Sequence, residues 1–291
     1  MQLTEAERHA IASQVTQSLE EDLSAADPTL DITAQLIPAH HVSQATIITR
    51  EDMVACGTAW VDEVFRQVDA DVAIEWCVTD GDKVQANTTL CRLSGNSRSL
   101  LTGERCALNF LQTLSATATQ TAFYVSKLEG FSTRLLDTRK TIPGLRMAQK
   151  YAVRCGGGTN HRIGLFDAYL IKENHIAACG GIVAAVETAR ELNPGKPVEV
   201  EVESLAEFEQ ALNAGADIVM LDNFTIGDIE TAVAQNKAAG SPLKLEVSGN
   251  ITDEALQALG ATGVDFISSG ALTKHVTAID LSMRIGQPRT N

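Results

Sequence analysis

Hydrophobic and polar positions follow two different rhythms in the two parts of the chain. From Leu3 to Glu20 apolar residues return at helical spacing and predict an opening helix. Short apolar runs then predict strands over Ser43–Arg50, Val54–Val61, Ala73–Val78 and Thr88–Leu93, with Asp80-Gly81-Asp82 and Ser94-Gly95-Asn96 as turns. Together these predict a small α+β domain. Glu104–Leu128 lacks Pro and Gly and predicts a long core helix, whose Ala-, Ser- and Thr-rich second half suits close packing against a neighbour.

After Gly130 the pattern becomes a regular alternation. Apolar strands are predicted at Thr133–Leu136, Ala168–Ile171, Val198–Val202, Ile218–Leu221, Leu243–Val247 and Phe266–Ile267, with helical patterns such as IVAAVETAREL, SLAEFEQALNA, DIETAVAQNKA and DEALQAL between them. Such alternation implies parallel βα units, and no Gly-rich dinucleotide fingerprint follows the first strand, which favours a (β/α) barrel over a Rossmann fold. Just past the predicted strands stand Asp137-Thr138-Arg139-Lys140, Lys172-Glu173-Asn174, Glu201, Asp222-Asn223, Ser248-Gly249-Asn250 and Ser268-Ser269-Gly270. Barrel enzymes set chemically capable groups at that end of successive strands, and Ser/Gly loops late in the barrel often cradle a phosphate.

Composition narrows the function. The 291 residues, 44% hydrophobic and 21% charged, suffice for one barrel or two ordinary domains. No window approaches the roughly 18 apolar residues of a membrane span, and the acidic, helical start is unlike a signal peptide, so a cytoplasmic location is expected. Cys56, Cys77, Cys91, Cys106, Cys155 and Cys179 are far apart in sequence and form no C-x-x-C pair; reduced core thiols are expected, not a disulfide framework or a zinc site. The net charge of −14 argues against nucleic acid as partner. Between Arg134 and Lys172, however, eight basic residues face only Asp137 and Asp167. A basic island in an acidic chain predicts a focused anion site. Arg146, Lys150 and Arg154, spaced by four on a predicted helix, fit a solvated helix face as readily.

The residue types define the chemistry further. Arg139 and Arg162 can grip carboxylate or phosphate bidentately, and Lys140 and Lys172 supply compact charges. Glu201 and Asp222 can do acid/base work, hold ribose hydroxyls, hold Mg²⁺ or pair with the basic residues; their types alone leave these open. Gly156-Gly157-Gly158-Thr159-Asn160-His161 has neither phosphate-loop nor dinucleotide spacing, so its glycines are expected to let the chain turn and bring His161 and Arg162 inward. His161 can orient an anion or transfer a proton.

The motifs DTRKTIPGLR (Asp137–Arg146), GGGTNHRIGLFDAYLIKENH (Gly156–His175), EVE (Glu199–Glu201), MLDN (Met220–Asn223), EVSGNI (Glu246–Ile251) and SSGALTK (Ser268–Lys274) closely resemble the quinolinate phosphoribosyltransferase family. LEEDL near Glu20 and TGERCALNFLQ at Thr102–Gln112 extend the resemblance over nearly the whole chain. It implies an α/β fold, with an amino-terminal α+β (open-faced sandwich) domain over 1–115 and an incomplete α/β barrel over 116–291 whose last helix packs back on the first domain. The implied reaction joins quinolinate to phosphoribosyl pyrophosphate with Mg²⁺, yielding nicotinate mononucleotide, pyrophosphate and carbon dioxide on the route to NAD.

By the same resemblance Lys140, Lys172, Glu201 and Asp222 are catalytic, with Mg²⁺ expected on Glu201 and Asp222. Arg105, Thr138, Arg139, Lys140, His161, Arg162, Lys172, Glu201, Asp222, Ser248, Gly249, Asn250, Ser269 and Gly270 are the expected substrate-binding residues. A homodimer is implied, with Arg105 reaching into the partner's site. Cys106, Ser269 and His275 depart from the more usual family residues and bear on packing and loop shape, not on the charged set. The rival expectations are a related phosphoribosyltransferase with another anionic acceptor, or a non-catalytic nucleotide sensor. The full cation set speaks against the first, and Glu201 with Asp222 against the second.

Overall fold

The structure, a computed structural model, describes residues 2–249 and 251–286. In chain order its principal elements are α1 (Glu5–Leu23), β1 (Val42–Thr49), β2 (Met53–Val54), α2 (Thr58–Val68), β3 (Ala73–Trp76), β4 (Lys83–Val84), β5 (Thr89–Asn96) and α3 (Ser97–Ser126). There follow β6 (Arg134–Leu136), α4 (Arg146–Cys155), β7 (Tyr169–Ile171), α5 (Glu173–Cys179), α6 (Ile182–Leu192), β8 (Val198–Val202), α7 (Leu205–Asn213) and β9 (Ile218–Asp222). The chain ends with α8 (Ile226–Ala238), β10 (Lys244–Ser248), α9 (Leu256–Ala261), β11 (Phe266–Ser268), α10 (Ala271–Lys274) and β12 (Leu281–Gly286). It divides into two compact units: 1–122 with 142–157 and 273–291, and 123–141 with 158–272.

In the first unit α1 starts at a capping box, where the Thr4 hydroxyl accepts the Glu7 N–H and the Glu7 carboxylate accepts the Thr4 N–H. Ile11, Val15 and Leu19, four residues apart, bury one face of the helix. An antiparallel sheet in the order β12-β1-β5-β3 supplies the α+β half, with Ser43, Ala45, Ile47 and Thr49 alternating inward along β1. The returning segment is the strand β12, paired antiparallel with β1.

The predicted strand over Val54–Val61 is corrected: only Met53–Val54 pair, and Gly57, at φ 116°, starts α2 at Thr58. Trp60, Val61, Val64, Phe65 and Val68 line the buried side of that helix, a helical spacing that the preceding apolar run obscures. The small residues of α3 do pack closely. A Cβ on Gly156 would stand 2.4 Å from Ala118 O, so this position admits only glycine without a shift of backbone.

The solvated-face expectation for α4 is also corrected. Lys150 is buried, and the Arg154 guanidinium donates to the buried Glu7 carboxylate at 2.6 Å.

In the second unit six parallel strands run in the order β6-β11-β10-β9-β8-β7. The sheet is an incomplete α/β barrel. Its strands carry Val200, Val202, Val219, Leu221, Leu245, Val247 and Ile267 in the buried core, alternating with the polar residues that form the site.

Candidate active site

Strand polarity gathers the site. The carboxyl ends of β6 to β11 surround a cavity of about 290 Å³, lined by Thr138, Arg139, Lys140, His161, Arg162, Leu170, Lys172, Glu201, Met220, Glu246, Ser248 and Ser268. Period two explains the lining: Leu170 with Lys172 and Glu246 with Ser248 lie two residues apart on the cavity face, and Glu201 and Met220 lie on the same faces as Glu199 and Asp222, which are outside the lining.

Asp137 organises the cationic side. It is fully buried just past β6; its Oδ1 accepts the His161 N–H at 2.8 Å and its Oδ2 the Asn160 side-chain N–H at 2.6 Å. Thr159 bridges to Leu136, so the Thr159–His161 segment runs beside β6 like an added short strand. Asp167 then caps the turn, accepting Ile163 N–H at 2.7 Å and Gly164 N–H at 2.9 Å, and the Arg162 guanidinium donates to Ala168 O at 3.2 Å. Burial, and then the Arg139 charge, press the pKa of Arg162 below its ordinary value. Two guanidiniums that line one cavity and repel each other favour an anion between them.

Lys172, immediately past β7, donates its ammonium to Glu201 Oε2. Lys140 follows a turn in which its N–H donates to the Thr138 hydroxyl at 3.0 Å, and its stem lies against Gly270, where a Cβ would stand 2.9 Å from Lys140 Cδ.

His161 meets two buried carboxylates on the inner face of the strands. Its Nε2 lies 2.9 Å from Glu199 Oε2 and 3.4 Å from Glu246 Oε2. Burial by itself lowers the pKa of an imidazole, but the hydrogen bonds and charges of both carboxylates outweigh it and raise His161 to about 10. Burial and the neighbouring Glu246 push Glu199 up to about 7. One contact opposes the cation: Nδ1 faces the Arg162 N–H at 2.7 Å, which suits a neutral ring. The two buried carboxylates favour the imidazolium, whereas this contact favours the neutral ring with its proton on Nε2, toward the carboxylates.

Of the expected substrate-binding residues, Thr138, Arg139, Lys140, His161, Arg162, Lys172, Glu201 and Ser248 line the cavity. Asp222 ends β9 and accepts the Asn223 side-chain N–H at 2.9 Å; it is not among the lining residues. Gly249, Ser269 and Gly270 lie in the loops after β10 and β11 but do not line the cavity either, and Asn250 lies outside the described residues. Arg105 is exposed on α3 in the first unit. Sequence reasoning set Asp137 and Ser268 at the strand ends without giving them a role, and it did not single out Leu170, Glu199, Met220 or Glu246. The alternation Glu199-Val200-Glu201 and Glu246-Val247-Ser248 carried the signal for the two glutamates, since polar residues at every second position of a buried strand share one face.

Comparison with known proteins agrees with this architecture. Residues 31–115 match the sequence profile of the quinolinate phosphoribosyl transferase N-terminal domain, and 117–284 that of its C-terminal domain. The chain is 41% identical to the probable nicotinate-nucleotide pyrophosphorylase [carboxylating] of Synechocystis, over 88% of this chain and 87% of the relative. It is 38% identical to the nicotinate-nucleotide pyrophosphorylase [carboxylating] of Mycobacterium leprae, over 97% and 99% of the two chains. The solved structure of the nicotinate-nucleotide pyrophosphorylase from Francisella tularensis superposes with a TM-score of 0.91 at 53% identity, covering 96% of this chain and 97% of that one.

Proposed function

Because the chain belongs to the quinolinate phosphoribosyltransferase family, we infer that the cavity at the carboxyl ends of β6 to β11 is where phosphoribosyl transfer and decarboxylation take place. The protein is a pentosyltransferase that converts quinolinate and phosphoribosyl pyrophosphate to nicotinate mononucleotide, pyrophosphate and carbon dioxide, in the biosynthesis of NAD. The observation that carries the site assignment is the convergence of Arg139, Lys140, Arg162 and Lys172 on one small cavity in a chain of net charge −14.

The chemistry explains this composition. Quinolinate presents two carboxylates on one ring, and the Arg139 and Arg162 guanidiniums suit them. The ring nitrogen attacks the ribose carbon as the bond from that carbon to the pyrophosphate oxygen breaks, and the electron pair leaves with pyrophosphate. The transition state resembles an oxocarbenium ion, and fixed cations such as Lys140 and Lys172 stabilise the departing anion. Alkylation leaves the ring cationic. That ring holds the electron pair released when the bond to the departing carboxylate breaks, and a proton then replaces carbon dioxide on the carbon.

Glu201 lines the cavity with Lys172 donating to it, which fixes its carboxylate there, and this carboxylate is assigned to the hydroxyls of the transferred ribose. The donor chemistry of Glu201 and Asp222, on adjacent strands, suits Mg²⁺, which takes one or two carboxylates and otherwise substrate oxygens. An ion held by these residues would supply positive charge against the pyrophosphate. The Ser248-Gly249 and Ser269-Gly270 loops are assigned to phosphate through backbone N–H groups other than that of Ser269, which donates to Leu136 O at 3.0 Å.

A homodimer with Arg105 completing the partner's site is part of this reading. It is supported by exposed apolar side chains in each unit, Ile32 and Leu36 in one and Leu165 and Phe166 in the other. A cytoplasmic location fits as well; no helix among the described residues is long and apolar enough to cross a membrane.

The purified chain should release carbon dioxide from quinolinate only with both phosphoribosyl pyrophosphate and Mg²⁺ present, since alkylation precedes loss of the carboxylate. Absence of nicotinate mononucleotide among the products would sink the assignment.

A further inference from the structure

A second cluster of reactive side chains lies in the first unit and takes no part in the chemistry above. Cys56 precedes α2, Asp80 stands in the turn before β4, and Cys155 is the last residue of α4. Distant in sequence, they converge so that the two sulfurs and a carboxylate oxygen all lie within 4.8 Å of one another. We propose that Cys56, Asp80 and Cys155 form a binding site for a thiophilic divalent cation of the zinc class.

Geometry supports the assignment first. In a tetrahedral site metal–sulfur bonds near 2.3 Å and metal–oxygen bonds near 2.0–2.2 Å set neighbouring ligand atoms roughly 3.3–3.8 Å apart. Ligand atoms within 4.8 Å of one another stand close to that spacing. The carboxylate is held from outside: Oδ1 of Asp80 accepts the Gly57 and Thr58 N–H groups at 3.0 and 3.1 Å, and Oδ2 accepts the Tyr151 hydroxyl at 2.7 Å. Ligating carboxylates are commonly oriented in this way by hydrogen-bond donors.

Charge and softness support it next. Two thiolates and one carboxylate leave a single negative charge around a divalent cation. Arg154 lies nearby, its guanidinium 5.5 Å from the Tyr151 ring centre and paired with Glu7 at 2.6 Å. Sulfur ligands discriminate against Mg²⁺, so this site and the substrate cavity take different ions. Both thiols are buried, which protects a bound ion from exchange and from oxidation of its ligands. An ion here ties the start of α2 to the end of α4, and α4 is followed in sequence by the segment that ends at His161 and Arg162.

The test uses the full chain with exposed Cys77 and Cys179 changed to Ser, leaving only buried thiols. Titration with Co²⁺ should give a thiolate-to-metal absorption band that saturates at about one ion per chain and is displaced by Zn²⁺. The band should vanish in Cys155→Ser and the affinity should fall about 10-fold in Tyr151→Phe, which removes a donor to Asp80 without touching a ligand. Carboxylate sites elsewhere give no thiolate band, so Co²⁺ bound in the substrate cavity does not mimic the result. Absence of the band, or its persistence in both Cys56→Ser and Cys155→Ser, overturns the proposal. Because a cysteine variant can fail to fold, the unsubstituted protein is also alkylated in mild urea, under conditions that label Cys56 and Cys155 of the metal-free chain. Protection of both by Zn²⁺ but not by Mg²⁺ is expected, and equal labelling overturns the proposal independently.

Discussion

The Asp137 carboxylate accepts the backbone N–H of His161 at 2.8 Å, joining the end of β6 to a loop 24 residues further along the chain. With Asn160 on its other oxygen, this buried carboxylate sets the course of the segment that carries both His161 and Arg162. Replacement of Asp137 by Ala leaves these donors without that acceptor, at a cost of about 1–3 kcal/mol. Asp137→Ala should therefore lower kcat/KM for quinolinate by roughly ten- to a hundredfold. Unchanged steady-state kinetics in a folded variant would show that the loop keeps its course without the carboxylate.

The glutamates beneath His161 make stability depend on pH. The imidazole is raised from an ordinary 6.5 to about 10, so its contribution is complete below about 6.5 and is lost as pH rises through about 10. Glu199, raised from 4.5 to about 7, adds a loss in the same direction between those values. Urea midpoints of the wild type should fall between pH 6.5 and 10, and a Glu199→Gln, Glu246→Gln double variant should flatten the decline. Parallel pH curves for the two proteins would remove His161 as its source.

Two guanidiniums in one cavity predict discrimination between dicarboxylate and monocarboxylate. With nicotinate one of the half-buried Arg139 and Arg162 loses a charged hydrogen-bond partner, which contributes about 1.5–3 kcal/mol. Nicotinate should bind roughly ten- to a hundredfold more weakly than quinolinate, as side-by-side competition assays would measure. Comparable turnover of the two acids would exclude the dicarboxylate assignment.

Gly249 has φ 98°, and a Cβ there would stand 2.4 Å from the Asn223 side-chain oxygen. Gly249→Ala should destabilise the fold by about 1 kcal/mol or more and raise KM for phosphoribosyl pyrophosphate more than KM for quinolinate, because the loop is assigned to phosphate. Equal changes in both constants would argue for a general loss of structure. Thermal melting and initial rates separate the two effects.

If Arg105 acts across a dimer, Arg105→Ala subunits mixed with Lys172→Ala subunits should regain part of the lost activity after exchange. Each mixed dimer then keeps one site with both residues intact. No recovery in demonstrably exchanged dimers would place a complete site within one chain.

Much of this molecule follows from local pattern. Period-two strands alternating with helices specify parallel βα units from β6 onward, and the direction of those strands sends Arg139, Lys140, Lys172, Glu201 and Ser248 to one end. Those properties rest on nearest-neighbour periodicity and chain direction, both present in any linear sequence. Motif order added the family, through residues such as His161 and Arg162 that periodicity alone does not rank. Where two rhythms overlapped, as between Val54 and Val61, local pattern misled, because the positive φ of Gly57 ends the strand and starts α2.

Partnership was decided by tertiary structure. A sequence shows that Glu199 and Glu246 share faces with Glu201 and Ser248, but only the placement of β8 and β10 in one sheet brings both carboxylates to His161. The basic helix α4 fitted a solvated face as readily as a site until Glu7, 147 residues earlier in the chain, proved to be the Arg154 partner. Likewise, cysteines with no ligand spacing in sequence gave no reason to expect a metal site, yet folding sets Cys56 and Cys155 beside Asp80. Burial shifts charge states and orients donors through contacts between distant segments, and such contacts exist only once the chain has closed on itself.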